Sequence, residues 1–118
     1  NNSIKKIISY LNINTSLAIS SKVSINHSLK AQDKVLSICK KYNCTEYWNV
    51  YAGYSLYNFK KFNAHNFQLN FLEPNENILY DQKSSNFIPN LSILDVIMHN
   101  SKDQINKFLK EYHVINST

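Results

Sequence analysis

Residues Phe87–Asn100, FIPNLSILDVIMHN, carry the pattern from which the rest of the fold is read. Ser92 and Asp95 stand three apart ahead of an apolar run, the spacing of a capping box. In that motif the Ser92 hydroxyl accepts from the amide of Asp95, and the Asp95 carboxylate reaches back to the amide of Ser92. Ile93, Leu94, Val96, Ile97 and Met98 then make a helix apolar on nearly every side. Such a helix is expected to be buried all round, with other layers wrapped about it.

Those layers are sought on either side. Downstream, Ser101–Gln104 (SKDQ) repeats the capping-box spacing and opens a helix with the stripe Ile105, Phe108, Leu109 and Tyr112. Val114 and Ile115 either add a terminal strand or simply pack. Upstream lies a polar loop, Glu73–Asn86, interrupted by Ile78, Leu79 and Tyr80. Before it, Phe67–Leu72 alternates as a half-buried strand that Pro74 ends. Leu56, Phe59 and Phe62 mark a helix from about Ser55 to Ala64. Glu46–Val50 (EYWNV) suits a pleated surface. Gly53, the one glycine in the chain, follows that strand and implies either a positive φ or a close backbone approach.

A helix ending near Tyr42 would bury Val35, Leu36, Ile38, Cys39 and Tyr42. Ser16–Ser20 is a short strand candidate. Ser3 can cap a first helix whose Ile4, Ile7, Ile8 and Leu11 fall on one face, and Asn12–Asn14 breaks it. Alternation of helices and strands implies right-handed crossovers. The expected architecture is α/β: a three-stranded parallel sheet with helices on both faces, over a single domain of residues 1–118, forming part of a larger sheet.

At 118 residues with 43% apolar content the chain can bury one core. Its apolar runs are short of a membrane span and no leader opens it, so a soluble, cytoplasmic protein is expected. The net charge is +5, yet all 13 basic residues are lysines. Without arginine to read guanine edges, sequence-specific nucleic-acid binding is disfavoured. Cys39 and Cys44, five apart, fit neither a redox pair nor a zinc half-site, and the four histidines match no ligand spacing. No metal and no cofactor is implied. Ser92 and Asp95 read as structural caps, with no histidine placed to act between them, and no catalytic residue stands out.

Three stretches, LKAQDKVLSICKKYNCTEYWN (29–49), GYSLYNFKKFNAHNFQLNFLEP (53–74) and FIPNLSILDVIMHNS (87–101), together resemble the WbqC-like family of bacterial proteins. The shared order is a basic helix start, a strand ending in Tyr-x-Asn, a glycine followed by Leu-Tyr, a Phe-x-Leu strand, and Pro-x-Leu-Ser-Ile-x-Asp-Val. Ala52–Gly53 stands where the family often has paired glycines. The family's N-terminal segments, Tyr-Phe-Pro-Trp and Lys-Arg-x-x-x-Asn-Arg, have no counterpart, so the chain resembles the C-terminal half of a longer member. The resemblance implies a role in O-antigen, lipopolysaccharide or other surface-polysaccharide biosynthesis, as part of a transferase modifying a sugar precursor.

Ligands of α/β sheets bind outside the carboxyl ends of the strands. There Asn49 can exchange hydrogen bonds with a sugar or nucleotide, and Gly53 can offer a bare amide to a phosphate. Lys30, near a helix start, can pair with a phosphate; Tyr57 and Tyr80 can stack on a ring or bond through their hydroxyls. The expected partner is a small sugar or nucleotide-sugar ligand. The alternative is a non-catalytic scaffold that supports a separate catalytic half. An exposed sheet edge also leads to the expectation that this piece associates with itself.

Overall fold

The structure, a computed structural model, describes residues 2–75 and 78–116. Glu76 and Asn77, in the middle of the expected loop, lie outside the described residues. The chain forms two compact units, one of residues 17–73 with 113–118 and one of residues 1–16 with 74–112.

The first unit holds the sheet. Its elements are helix α2 (Ala31–Lys41), strand β1 (Glu46–Val50), a 3-10 segment (Tyr51–Leu56), helix α3 (Phe59–Asn63), strand β2 (Gln68–Pro74) and strand β3 (Tyr112–Asn116), in the sheet order β1-β2-β3. β1 and β2 run parallel, from Glu46 opposite Gln68 to Val50 opposite Leu72. β3 starts where β2 ends, since the Asn75 amide donates to the Glu111 carbonyl at 3.0 Å. The sheet is therefore mixed rather than wholly parallel.

Ser16–Ser20 is not its third strand. That stretch has no regular structure up to Ile19 and then enters a 3-10 turn, Ser20–Lys22. Leu17 and Ile19 are both exposed, so the run has no face to bury, while β3 takes the place beside β2. The expected helix over 55–64 is likewise divided. Tyr51–Leu56 winds as 3-10, and α3 begins afresh at Phe59, where the Asn58 side chain accepts from the Lys61 amide at 3.2 Å.

β1 alternates, turning Tyr47 and Asn49 to one side and Glu46, Trp48 and Val50 to the other. The Tyr47 side is the core side. Leu69 and Phe71 of β2 are fully buried there with Leu36 and Cys39 of α2 and Phe62 of α3. Both helices contribute to this one cluster, so in this unit the helices expected on both faces are helices on one. Tyr42, read as core, is exposed.

Asparagine does the work of the missing glycines. Asn12, Asn43 and Asn66 take φ of 57°, 51° and 59°, each just past a helix, where a left-handed residue lets the chain turn back. Two hydrogen bonds close each turn: Ile13 to Ile8 and Asn12 to Ser9, Cys44 to Cys39 and Asn43 to Lys40, Phe67 to Phe62 and Asn66 to Asn63. This is the Schellman arrangement, which sets an apolar residue beyond the turn against one five positions earlier. It accounts for the five-residue spacing of Cys39 and Cys44.

In the second unit, α1 spans Asn2–Tyr10, so Ser3 lies inside the helix rather than capping it. Leu11 and Ile105 are its buried apolar side chains among the described residues. Helix α5, Lys102–Phe108, is capped as expected by Ser101, which accepts from the Gln104 amide at 3.2 Å. Leu109 and Tyr112 are exposed rather than part of its buried stripe.

Helix α4, Ile93–His99, overturns the expectation of all-round burial, for it has no buried residue. Leu94 is 60% and Met98 82% exposed. An apolar run demands cover only if enough layers surround it, and two turns of helix beside α5 gather too few. The capping box is also unmade. Ser92 caps the Leu94 amide at 3.3 Å, and the Asp95 carboxylate has other partners.

Candidate functional site

β1 ends at Val50, opposite Leu72, while β2 runs on to Pro74, and the chain leaves β1 through the tight 3-10 segment. That winding brings Gly53 back under Asn49. A β-carbon on Gly53 would stand 2.9 Å from Asn49 Nδ2, 3.5 Å from its Cγ and 3.7 Å from Cε2 of Tyr57. Its φ is not positive, so of the two sequence explanations the close approach is the one realised. Asn49, Gly53 and Tyr57 thus come together at the carboxyl end of β1. Asn49 Oδ1 accepts from the Val50 amide at 2.8 Å, which leaves its NH2 directed at the Gly53 backbone.

Tyr57 is held by aromatic neighbours. Its ring lies 5.5 Å from that of Tyr47 and meets Phe62 edge-on at 5.8 Å. The Tyr47 and Tyr57 hydroxyls share a hydrogen bond of 3.1 Å. Burial, and then that bond, push the Tyr47 hydroxyl well above the usual tyrosine range.

Lys30 is exposed at the start of α2. Gln32 Oε1 accepts from the Asn58 amide at 3.2 Å, and Lys61 pairs with Asp33. These contacts set the first turn of α2, and with it Lys30, beside the residue that follows Tyr57. Three of the five expected ligand residues, Asn49, Gly53 and Tyr57, are therefore brought together, and Lys30 is linked to them only through the bond between Gln32 and Asn58.

Tyr80, the fifth, belongs to a different cluster. Its hydroxyl donates to Asp95 Oδ2 across 2.6 Å. Gln82 Nε2 reaches the same carboxylate oxygen at 3.4 Å and the Ile88 carbonyl at 2.8 Å, while its Oε1 accepts from the Ile88 amide at 2.8 Å. The other carboxylate oxygen lies 3.7 Å from His99 Nε2, one turn along α4. Phe87 packs edge-on against the Tyr80 ring at 5.5 Å, and His99 lies 6.3 Å from it. Burial and the bond to Asp95 raise the Tyr80 hydroxyl above its ordinary value. Asp95 thus stands between a phenol that donates to it and an imidazole 3.7 Å away, all three partly exposed.

Reading Asp95 as a cap missed this cluster. The available signal was the spacing of Asp95 and His99, which puts them on one helix face. Tyr80, fifteen residues upstream of Asp95, gave none.

An α/β chain with a mixed three-stranded sheet and carboxamide and aromatic groups at one strand end defines a broad class only. Residues 1–107 match the profile of the WbqC-like protein family, and the chain belongs to that family. A search of curated proteins found no significant match, and a search of solved structures found none. No helix among the described residues is long and apolar enough to cross a membrane.

Proposed function

We propose that this chain is part of a cytoplasmic transferase of bacterial O-antigen or other surface-polysaccharide biosynthesis, acting on a nucleotide-linked or phosphorylated sugar precursor. The observation that carries the reading is the Tyr80–Asp95–His99 cluster in a WbqC-like chain. His99 takes the proton from an acceptor hydroxyl or amine as that atom attacks the transferred group, whose bond to the donor's phosphate breaks, the phosphate leaving with the electron pair. Asp95, with one oxygen 3.7 Å from the ring's Nε2, balances the charge the ring gains, and Tyr80 and Gln82 hold Asp95. In the sheet unit, taken by itself, Asn49, Lys30 and Tyr57 are the groups offered to a sugar or nucleotide-sugar ligand, whereas Gly53 is buried against Asn49.

A thermal-shift screen of nucleotide-linked and phosphorylated sugars tests the reading. A ligand at a hundred times its Kd adds about 2.7 kcal/mol to stability. The expected result is an upward shift with one sugar class, lost in Asn49→Leu and Lys30→Ala. No shift with any member of the panel overturns it.

A specific observation favours a second reading, that of a scaffold. Asn49 Oδ1 and the Tyr57 hydroxyl already have partners within the chain. On that reading the exposed Leu94 and Met98 and the open edge of β1 support self-association, and light scattering that finds only monomer at high concentration counts against it.

A further inference from the structure

The sheet face turned away from the aromatic core carries a second polar arrangement. Register pairs Glu46 with Gln68 and Trp48 with Asn70, so four side chains share that face on adjacent rungs. They are bonded to one another. Trp48 Nε1 donates to Glu46 Oε2 at 2.8 Å, Asn70 Nδ2 donates to the same oxygen at 3.3 Å, and Gln68 Nε2 donates to Asn70 Oδ1 at 3.2 Å. Asn70 is only 1% exposed, whereas Trp48 is 44% exposed. A buried carboxamide thus fixes a carboxylate, and the carboxylate fixes an indole whose ring remains open to solvent.

Gln68 also belongs to a shallow cleft of about 390 Å³ lined by Asn63, Asn66, Phe67 and Gln68. That volume is within the range of small-molecule sites, roughly 300–1,000 Å³; Gln68 is the residue the cleft shares with the hydrogen-bonded network, and Trp48 and Glu46 do not line it. Its lining has three carboxamides and no ionisable side chain. We infer that this face is a binding subsite for an uncharged pyranose, with Trp48 as the stacking surface and Glu46 and Gln68 as hydrogen-bonding groups.

The chemistry selects that class. A pyranose presents one C–H face, which lies flat on an indole, and a rim of hydroxyls that both donate and accept. Glu46 accepts from such a rim, and carboxamides do both. A phosphate meets the Glu46 carboxylate and finds no cation in the lining. An apolar ligand would take the Glu46 carboxylate and the Gln68 carboxamide out of water without offering them partners, at a cost for each. A nucleobase also stacks on tryptophan, and it is the rival that the test must separate. The subsite stands apart from Asn49 and Gly53, which turn to the other side of β1, and it requires no transfer reaction.

Trp48 is the only tryptophan in the chain, so its fluorescence reports the site directly. The chain is titrated with methyl glucoside, methyl galactoside, N-acetylglucosamine and their trisaccharides, and in parallel with adenosine and inorganic phosphate. The expected result is a saturable change with at least one sugar and none with adenosine or phosphate. Gln68→Ala should weaken that affinity about tenfold, the loss of one good hydrogen bond. Trp48→Leu, followed by calorimetry and checked for folding by circular dichroism, should abolish it. No saturable change with any sugar overturns the proposal. So does saturation by adenosine alone, or sugar binding that survives Trp48→Leu.

Discussion

The Tyr80 hydroxyl and the Asp95 carboxylate meet across 2.6 Å, joining the segment ahead of α4 to the helix itself. With Gln82 bonded on both sides of Ile88, this contact replaces the capping box as the device that positions the start of α4. Tyr80→Phe removes the donor and leaves one Asp95 oxygen with only the longer bond from Gln82. The group is partly exposed, so a loss of about 1 kcal/mol is expected in urea unfolding, at the lower end for a bond to a charged acceptor.

Gly53 and Asn49 make a coupled pair. Gly53→Ala gains a few tenths of a kcal/mol by restricting the unfolded chain, because its φ is not left-handed. Its new methyl, however, displaces the Asn49 carboxamide and its bond to the Val50 amide. The substitution should therefore be destabilising by about 1 kcal/mol in the native sequence and neutral or stabilising beside Asn49→Ala. A double-mutant cycle measures this, and strict additivity would refute the close approach.

The left-handed positions respond in opposite ways to glycine and alanine. Asn43→Ala should cost about 1 kcal/mol, whereas Asn43→Gly should be nearly neutral. Ala31, at φ 46° on the first residue of α2, has no such side chain to help it, so Ala31→Gly should stabilise by about 1 kcal/mol. Thermal melts of the three variants decide.

Alkaline stability should fall in a defined window. Burial, with Cys44 beside it, raises the Cys39 thiol from 9.0 to about 11, and the Tyr47 and Tyr80 hydroxyls are raised from 10.0. All three folded values exceed the unfolded ones, so the native state holds these protons more tightly. Their contribution is complete below about pH 9 and is lost as pH rises through the folded values. Tyr47→Phe should flatten the upper part of that decline in denaturant titrations from pH 8 upward.

The same burial makes Cys39 unreactive. At pH 8 an alkylating reagent should label the half-buried Cys44 first, with Cys39 modified only as the chain opens. Mass spectrometry of the time course reads the order. Equal labelling from the first points would contradict the packing of α2 on the sheet.

What could be read without coordinates was local. α2, β1, β2 and the Ser101 cap of α5 follow from side-chain periodicity and from hydrogen bonds within a few residues. The motif stretches from Leu29 to Ser101 carried the family, which the match over residues 1–107 establishes. The choice of third strand was not local. Ser16–Ser20 and Tyr112–Asn116 are both short and partly apolar, and pairing with β2 from a distant part of the chain selects between them. Likewise, the apolar run of α4 is plain in one dimension, but how much of it is covered depends on how many elements surround it. Asp95 shows the limit most clearly. Its spacing from Ser92 suggested a cap, yet a carboxylate goes to the best donors within reach, and folding brought Tyr80 and Gln82 there.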